Sequence, residues 1–259
     1  VTHPYLQHAQ HPRVLAHRGL VAPDEGAAGA VENSFAALAA AHAAGATYIE
    51  SDCHLTRDGQ VVLFHDDDLR RVTGDPRGLR DVDLAELEDI MSGRGGLVTL
   101  AQALDAFPDT RFNLDVKAED AAEPVGRLVA SAAERVLLTS FSDRRRRAAL
   151  EAARRERADL LPATSAGSAT IVLLLAARMS KRLAARVLRG IDAVQIPERR
   201  GALRILSRRL ISVVHAAGAE VHVWTVNDPD RMRRLSARGV DGIVTDRADL
   251  ALAALTTPD

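Results

Sequence analysis

The chain has 259 residues, with 34 Lys and Arg against 35 Asp and Glu, a formal net charge of -1. A 47% hydrophobic and 27% charged composition is that of a globular protein and excludes intrinsic disorder; the length suits one large domain or two small ones. The even charge gives no footprint for nucleic acid or an anionic membrane, the single Cys53 excludes a disulfide framework or a cysteine zinc site, and Trp 1, Tyr 2 and Phe 5 are too few for a base-stacking platform.

From the start, Val1-Thr2-His3-Pro4-Tyr5 has neither a basic n-region nor an apolar h-region, so a cytoplasmic location is expected. Short β-branched runs then alternate with Ala-, Leu- and Arg-rich helical patterns. Strands are predicted at 13–16, 46–55, 111–117, 136–140, 159–163, 193–196, 220–226 and 242–245. Helices are predicted between them at 34–44, 121–134, 143–155, 207–217 and 228–238. Asn33 or Ser34 can cap the first helix, Asp228-Pro229 opens another, and Gly45, Gly218 and Gly239 stand where helices should stop. Serial βα units predict an α/β fold with parallel strands, and at this length a closed eight-stranded barrel. An open sheet competes, but no Gly-x-Gly-x-x-Gly follows the first strand and no Gly-x-x-x-x-Gly-Lys loop occurs.

One segment breaks the alternation. Residues 56–60 read as a hairpin turn, 61–65 as a short returning strand, and a polar excursion with a short helix near 84–90 precedes the helix at 100–107. The chain thus reads as one domain over 1–259 with a small insertion at about 56–97. The most apolar stretch, 169–177, is followed at once by Arg178; it is too short to span a bilayer and reads as a buried helix segment. The run 144–147 of arginines reads as a solvated helix face.

Barrel chemistry sits where strands end. The first strand ends in His17-Arg18-Gly19. On the second, Glu50 and Asp52 share a face, because strand side chains repeat every two residues. Two such carboxylates repel unless a cation lies between them, which points to Mg²⁺ or Ca²⁺, unless one is protonated, or unless arginines hold them. Asp115 and Lys117 share a face on the third strand, and Asp115 offers a third carboxylate. Lys117 is one of two lysines beside 32 arginines, which suggests a place where a compact ammonium matters. His65 closes the returning strand beside Asp66, Asp67 and Asp68. A cation, an arginine, a lysine and two histidines at one mouth describe phosphoryl chemistry.

Leu15-Ala16-His17-Arg18-Gly19, Glu32-Asn33-Ser34, the run from Glu50 to Gly59, and Phe64-His65-Asp66 together resemble the glycerophosphodiester phosphodiesterase family. Asp115-Val116-Lys117, Thr139-Ser140-Phe141, Val223-Trp224-Thr225-Val226-Asn227 and the run from Gly239 to Asp246 continue the likeness in order over nearly the whole chain. The arginine-rich sequence is most similar to actinobacterial members. The resemblance implies a TIM-type (β/α)8 barrel with a small insertion after the second strand. It also implies a hydrolase of glycerol and lipid metabolism that cleaves a small-molecule glycerophosphodiester into an alcohol and sn-glycerol 3-phosphate. By position it implies His17 and His65 as the acid–base pair and Glu50, Asp52 and Asp115 as ligands of one divalent cation, Mg²⁺ or Ca²⁺. Arg18 and Lys117 would hold the phosphate, and Trp224 would line the glycerol side. The attacking oxygen would be water or the substrate's own 2-hydroxyl. Where the family commonly carries Glu, this chain has Asp115, one methylene shorter. A lysolipid-directed barrel of phospholipase D type would need an apolar surface near the mouth, and no exposed apolar run is evident in the sequence. A non-catalytic phosphodiester-binding barrel would not need both histidines and all three carboxylates. No nucleic acid and no stable membrane insertion are expected, and no signal for oligomeric state is present.

Overall fold

The computed structural model describes residues 2–7, 11–21 and 29–256; Val1 of the N-terminal reading lies outside them. Eight parallel strands form the barrel: β1 (Arg13–His17), β2 (Tyr48–Leu55), β4 (Arg111–Val116), β5 (Val136–Thr139), β6 (Ala163–Thr164), β7 (Ala193–Pro197), β10 (Glu220–Trp224) and β11 (Gly242–Thr245). They lie in the order β6-β5-β4-β2-β1-β11-β10-β7. A single parallel bridge, Ser165 to Ala193, joins β6 to β7 and nearly closes the ring. The hairpin is present as expected: β3 (Val61–Leu63) returns antiparallel along β2.

The helices carry their expected caps. Ser34 Oγ accepts from the Ala37 amide at the start of α2 (Phe35–Ala43), and Asp228 caps α11 (Pro229–Ser236), where Pro229 occupies the first turn. Thr99 and Gln102 form a reciprocal capping box on α5 (Leu100–Ala106). The packed helices α6 (Ala122–Val129) and α7 (Asp143–Glu156) meet at Gly126, where an added Cβ would stand 2.1 Å from the Ala149 carbonyl oxygen. The main apolar core lies between sheet and helices, and a separate cluster of Val62, Phe64, Leu69, Leu79, Val82, Leu87 and Met91 fills the segment containing α3 (Arg70–Thr73) and α4 (Leu84–Met91).

The barrel floor is plugged by α1 (Pro4–Gln7), which the sequence did not announce. Tyr5 packs edge-on against Tyr48, and the buried Arg13 guanidinium donates to Glu220, to the Tyr48 hydroxyl and to the Leu6 carbonyl. Three differences from the sequence reading follow from local physics. The fifth strand sits at 163–164 rather than 159–163, because Asp159 and Leu160 precede the stretch that pairs with β5. The connection after β7 holds a small hairpin, β8 (Arg199–Arg200) with β9 (Leu203–Arg204), that polar composition hid. The stretch at 169–177 is helical, as α8 (Ser168–Ala177), but its outer stripe is exposed, and α9 (Lys181–Val187) follows it before α10 (Arg208–Ala216) and the final α12 (Ala248–Thr256).

Candidate active site

Side chains alternate in and out along each strand, so every second residue of β1, β2, β4 and β10 climbs the barrel interior. Arg13, Tyr48 and Glu220 form the floor. Leu15, Tyr48, Leu137, Ala163, Ala193 and Val244 form an apolar layer. Above it the rungs pair His17 with Glu50, Glu50 with Asn113, and Asp52 with Asp115. The polar mouth is therefore a consequence of strand period and register.

His17 ends β1, and its Nδ1 lies 2.6 Å from Asp246 Oδ1, just past β11. Asp246 is itself held by the Asn227 side-chain amide at 2.7 Å. A carboxylate at that distance assigns the proton to Nδ1 and leaves Nε2, 3.8 Å from Glu50 Oε2, facing the mouth. Burial lowers the His17 pKa, but the hydrogen bond to Asp246 and the charge of Glu50 outweigh it, and the net shift is upward. His65 repeats the device, with Nδ1 2.6 Å from Asp66 Oδ1. Asp66 also accepts from Arg71 Nε, and Arg71 reaches Glu32, which accepts from Arg18. Arg71 thereby lines two adjoining clefts, one of about 560 Å³ with His65 and Lys117 and one of about 330 Å³ with His17 and Asp246.

The turn after β1 is tight. Arg18 and Asn33 both take left-handed backbone angles, and a Cβ on Gly19 would meet the Ala37 backbone at 2.6 Å, so only glycine fits. The turn aims Arg18 Nε at Asp52 Oδ2, 3.2 Å away. Asn33 donates to the same oxygen at 3.0 Å while accepting from Ser51. Lys117 Nζ stands 2.9 Å from Asp52 and 2.8 Å from Asp115.

These contacts sort the carboxylates. Burial raises Asp52, but Lys117 and Arg18 outweigh it and hold it below the ordinary range. Asp115 stays raised, since its burial exceeds the pull of Lys117. Glu50 is pushed up to about 8 by burial and by the charge of Asp52. Glu50 Oε2 and Asp115 Oδ1 are buried without a hydrogen-bond partner. As placed, no three His, Cys, Asp or Glu side chains among the described residues are grouped to hold a metal ion. Even so, two buried carboxylate oxygens without a partner suit a hard cation with oxygen ligands.

Trp224 ends β10 half-buried, with the exposed Phe141 edge-on at 6.0 Å. The eight expected residues lie within β2 (Glu50, Asp52), at or near the ends of β1, β4 and β10 (His17, Asp115, Trp224), or just beyond β1, β3 and β4 (Arg18, His65, Lys117). Contacts link His17 to Glu50, Arg18 to Asp52, and Lys117 to both Asp52 and Asp115. Sequence reasoning gave no role to Asp246, Asp66, Glu32 or Arg71, and named Asn33 only as a possible helix cap, a place Ser34 takes. Asp66 carried a signal, as an acid directly following a strand-end histidine. Arg71 carried none, being one arginine among 32.

Residues 17–250 match the profile of the Glycerophosphoryl diester phosphodiesterase family. A probable glycerophosphodiester phosphodiesterase of Mycobacterium tuberculosis is 40% identical over 223 residues, 84% of this chain and 83% of the relative. The crystal structure of a glycerophosphodiester phosphodiesterase from Thermotoga maritima superposes with a TM-score of 0.70 at 24% identity, covering 95% of this chain and 99% of that one. An Oleispira antarctica phosphodiesterase, solved in complex with the product sn-glycerol-3-phosphate, superposes with a TM-score of 0.70 at 23% identity, covering 95% and 98%. At that identity the two structures speak for the barrel.

Proposed function

The chain belongs to the glycerophosphoryl diester phosphodiesterase family, and on that premise we propose which of its residues perform the reaction. The activity is hydrolysis of a glycerophosphodiester to an alcohol and sn-glycerol 3-phosphate. The observation that carries the assignment is the pair of histidines, each fastened through Nδ1 to a carboxylate, on either side of Arg71 and with Lys117 and Arg18 at the same mouth.

One histidine takes the proton of the attacking oxygen through Nε2, and the other gives a proton to the leaving alkoxide. Their carboxylate partners fix ring orientation and favour the protonated form during the step. Lys117 and Arg18 bind the two non-bridging phosphate oxygens, and Trp224 covers the glycerol side. Glu50, Asp52 and Asp115 would hold one divalent cation, Mg²⁺ or Ca²⁺. When bound it supplies positive charge to the phosphoryl oxygens as the bond breaks. Asn33 keeps Asp52 turned toward that point. The segment at about 56–97 serves as an insertion that carries His65 to the mouth of a single barrel domain.

The test is release of glycerol 3-phosphate from glycerophosphocholine, before and after chelation. Chelation should abolish turnover, and Mg²⁺ or Ca²⁺ should restore it. Full turnover in a rigorously metal-free preparation would remove the cation and the three carboxylates' role from the proposal.

A further inference from the structure

Helix α8 breaks the usual rule for a surface helix. From 163 to 177 the chain has no charged residue, and the exposed stripe of the helix is Ala169, Val172, Leu173 and Ala176. A helix that turns an apolar stripe to water needs something to cover it. Val172 is 65% exposed and Leu173 59% exposed, and Met179 and Leu183 continue the run with 66% and 51%.

Its place in the barrel is set by both ends. At the first, the Ser168 amide donates to the Phe141 carbonyl, beyond the C-terminal end of β5, and Asp143 accepts from the Gly167 and Thr170 amides. At the second, Arg209, in the first turn of α10, donates to the Arg178 and Met179 carbonyls. Helices that follow barrel strands begin at the catalytic face. Both anchors therefore hold α8 across the rim of that face, and the descending helix is α9. The β8–β9 hairpin rises from the neighbouring strand β7 and carries Leu203, 62% exposed, between arginines.

The charge around this apolar rim is one-sided. Residues 165–209 hold ten Lys and Arg against Asp192 and Glu198, a net charge of +8 in a chain whose total is -1. All ten cations are exposed. None is ion-paired to a carboxylate among the described residues, and the two acids are engaged elsewhere, Asp192 by the Thr164 amide and Glu198 by Arg231. Most arginines elsewhere are paired with a carboxylate, as in Arg57 with Asp83 and Arg77 with Glu86.

We propose that the rim formed by α8, the start of α9 and the β8–β9 hairpin docks on the surface of an anionic lipid bilayer, with Val172, Leu173, Met179, Leu183 and Leu203 entering the headgroup boundary and the arginines contacting lipid phosphates. Apolar side chains flanked by unpaired cations are the pattern of an interfacial segment, and a partner protein of ordinary composition would leave most of those cations uncompensated. No helix among the described residues is long and apolar enough to cross a membrane, so attachment is peripheral. It would set the catalytic mouth against the bilayer. Binding is read without turnover, so the proposal stands or falls separately from the catalytic assignment.

The experiment is flotation of the full chain with vesicles of phosphatidylcholine and phosphatidylglycerol, compared with phosphatidylcholine alone. The chain should float with the anionic vesicles only, and 0.5 M salt, where screening is short-ranged at about 4 Å or so, should release it. Two paired variants, Val172→Asp with Leu173→Asp and Arg199→Glu with Arg200→Glu, should each weaken vesicle binding at least about tenfold. Both should keep wild-type thermal midpoint and wild-type turnover of soluble glycerophosphocholine. No flotation on anionic vesicles, or flotation unchanged in both variants, overturns the proposal. So does a dimer in sedimentation velocity that the Asp variant dissociates while no vesicle is bound, because the cover is then a second copy. Loss of soluble turnover in either variant at unchanged midpoint also overturns it, by placing the face within the active site.

Discussion

His17 and His65 are each fastened at Nδ1 by one carboxylate oxygen 2.6 Å away, and each presents Nε2 to the mouth. On the proposed assignment either replacement by Ala removes a proton carrier, and turnover should fall roughly 10²–10⁴-fold. The double variant should be little worse than either single one, because the pair works as a unit. On the proposed assignment Asp246 acts by holding His17 Nδ1. Asp246→Asn should lower turnover about 10²-fold by loosening the ring and its proton, leaving KM near its original value. Asp246→Glu should recover part of the loss. Steady-state kinetics on purified variants with unchanged thermal midpoints decide the matter, and equal loss in KM and turnover for Asp246→Asn would make it a substrate contact instead. At this scale the sequence brought residues together where strand period puts them on one face, as at Glu50 and Asp52, and at a strand end, as at His17. It was silent where a partner comes from far along the chain, since nothing in the local pattern ties Arg71 to Glu32 or His17 to Asp246.

Among the elements, α6 and α7 pack more closely than side chains would permit. Gly126 faces the Ala149 carbonyl, with Ala152 Cβ also within 2.8 Å of an added methyl. Gly126→Ala therefore gains helix propensity but forces the helices apart, and overpacking of this kind costs about 1–3 kcal/mol. The thermal midpoint should fall by roughly 2–12 °C, at about 2–4 °C per kcal/mol for a chain of this size. Turnover of the folded fraction should not change. An unaltered midpoint in a thermal melt would mean that the two helices slide apart freely. Element boundaries were legible where caps and period agree, as for β11, α2 and α11. The run after β6 was read as a helix but as a buried one, and its apolar stripe faces outward; the connection after β7 was given no element, and it holds a hairpin. Whole-chain net charge concealed the same region, because +8 over 165–209 is cancelled elsewhere.

For the whole molecule, Arg13 and Glu220 staple the barrel floor from strands separated by β11. Burial raises the Glu220 pKa, but the hydrogen bonds from Arg13 and His222 outweigh it and bring it down to about 2. Its folded value lies below its unfolded one, near 4.3. The stabilisation is therefore complete above about pH 4.3 and is lost as pH falls through about 2. Its size is on the order of 3 kcal/mol. Glu220→Gln should lower the denaturant midpoint clearly at pH 7, with the gap to wild type narrowing steadily from pH 4 toward pH 2. A gap that stays constant over that range would show that Glu220 contributes by packing and not by charge. The closed barrel itself could be read from eight spaced strand signals and length. The plug α1 could not, because a four-residue helix carries no periodicity, and its purpose is visible only once Arg13 is seen reaching Leu6.

The hydrogen bond from His17 to Asp246 joins residues 229 positions apart, and β1 pairs with β11 on one side. During synthesis the first barrel strand thus leaves the ribosome long before its last neighbour exists. A polypeptide halted before residue 242 has an unpaired edge on β1 and a His17 without Asp246 to orient it. On the proposed assignment, the His17 ring is oriented only once residue 246 has been made.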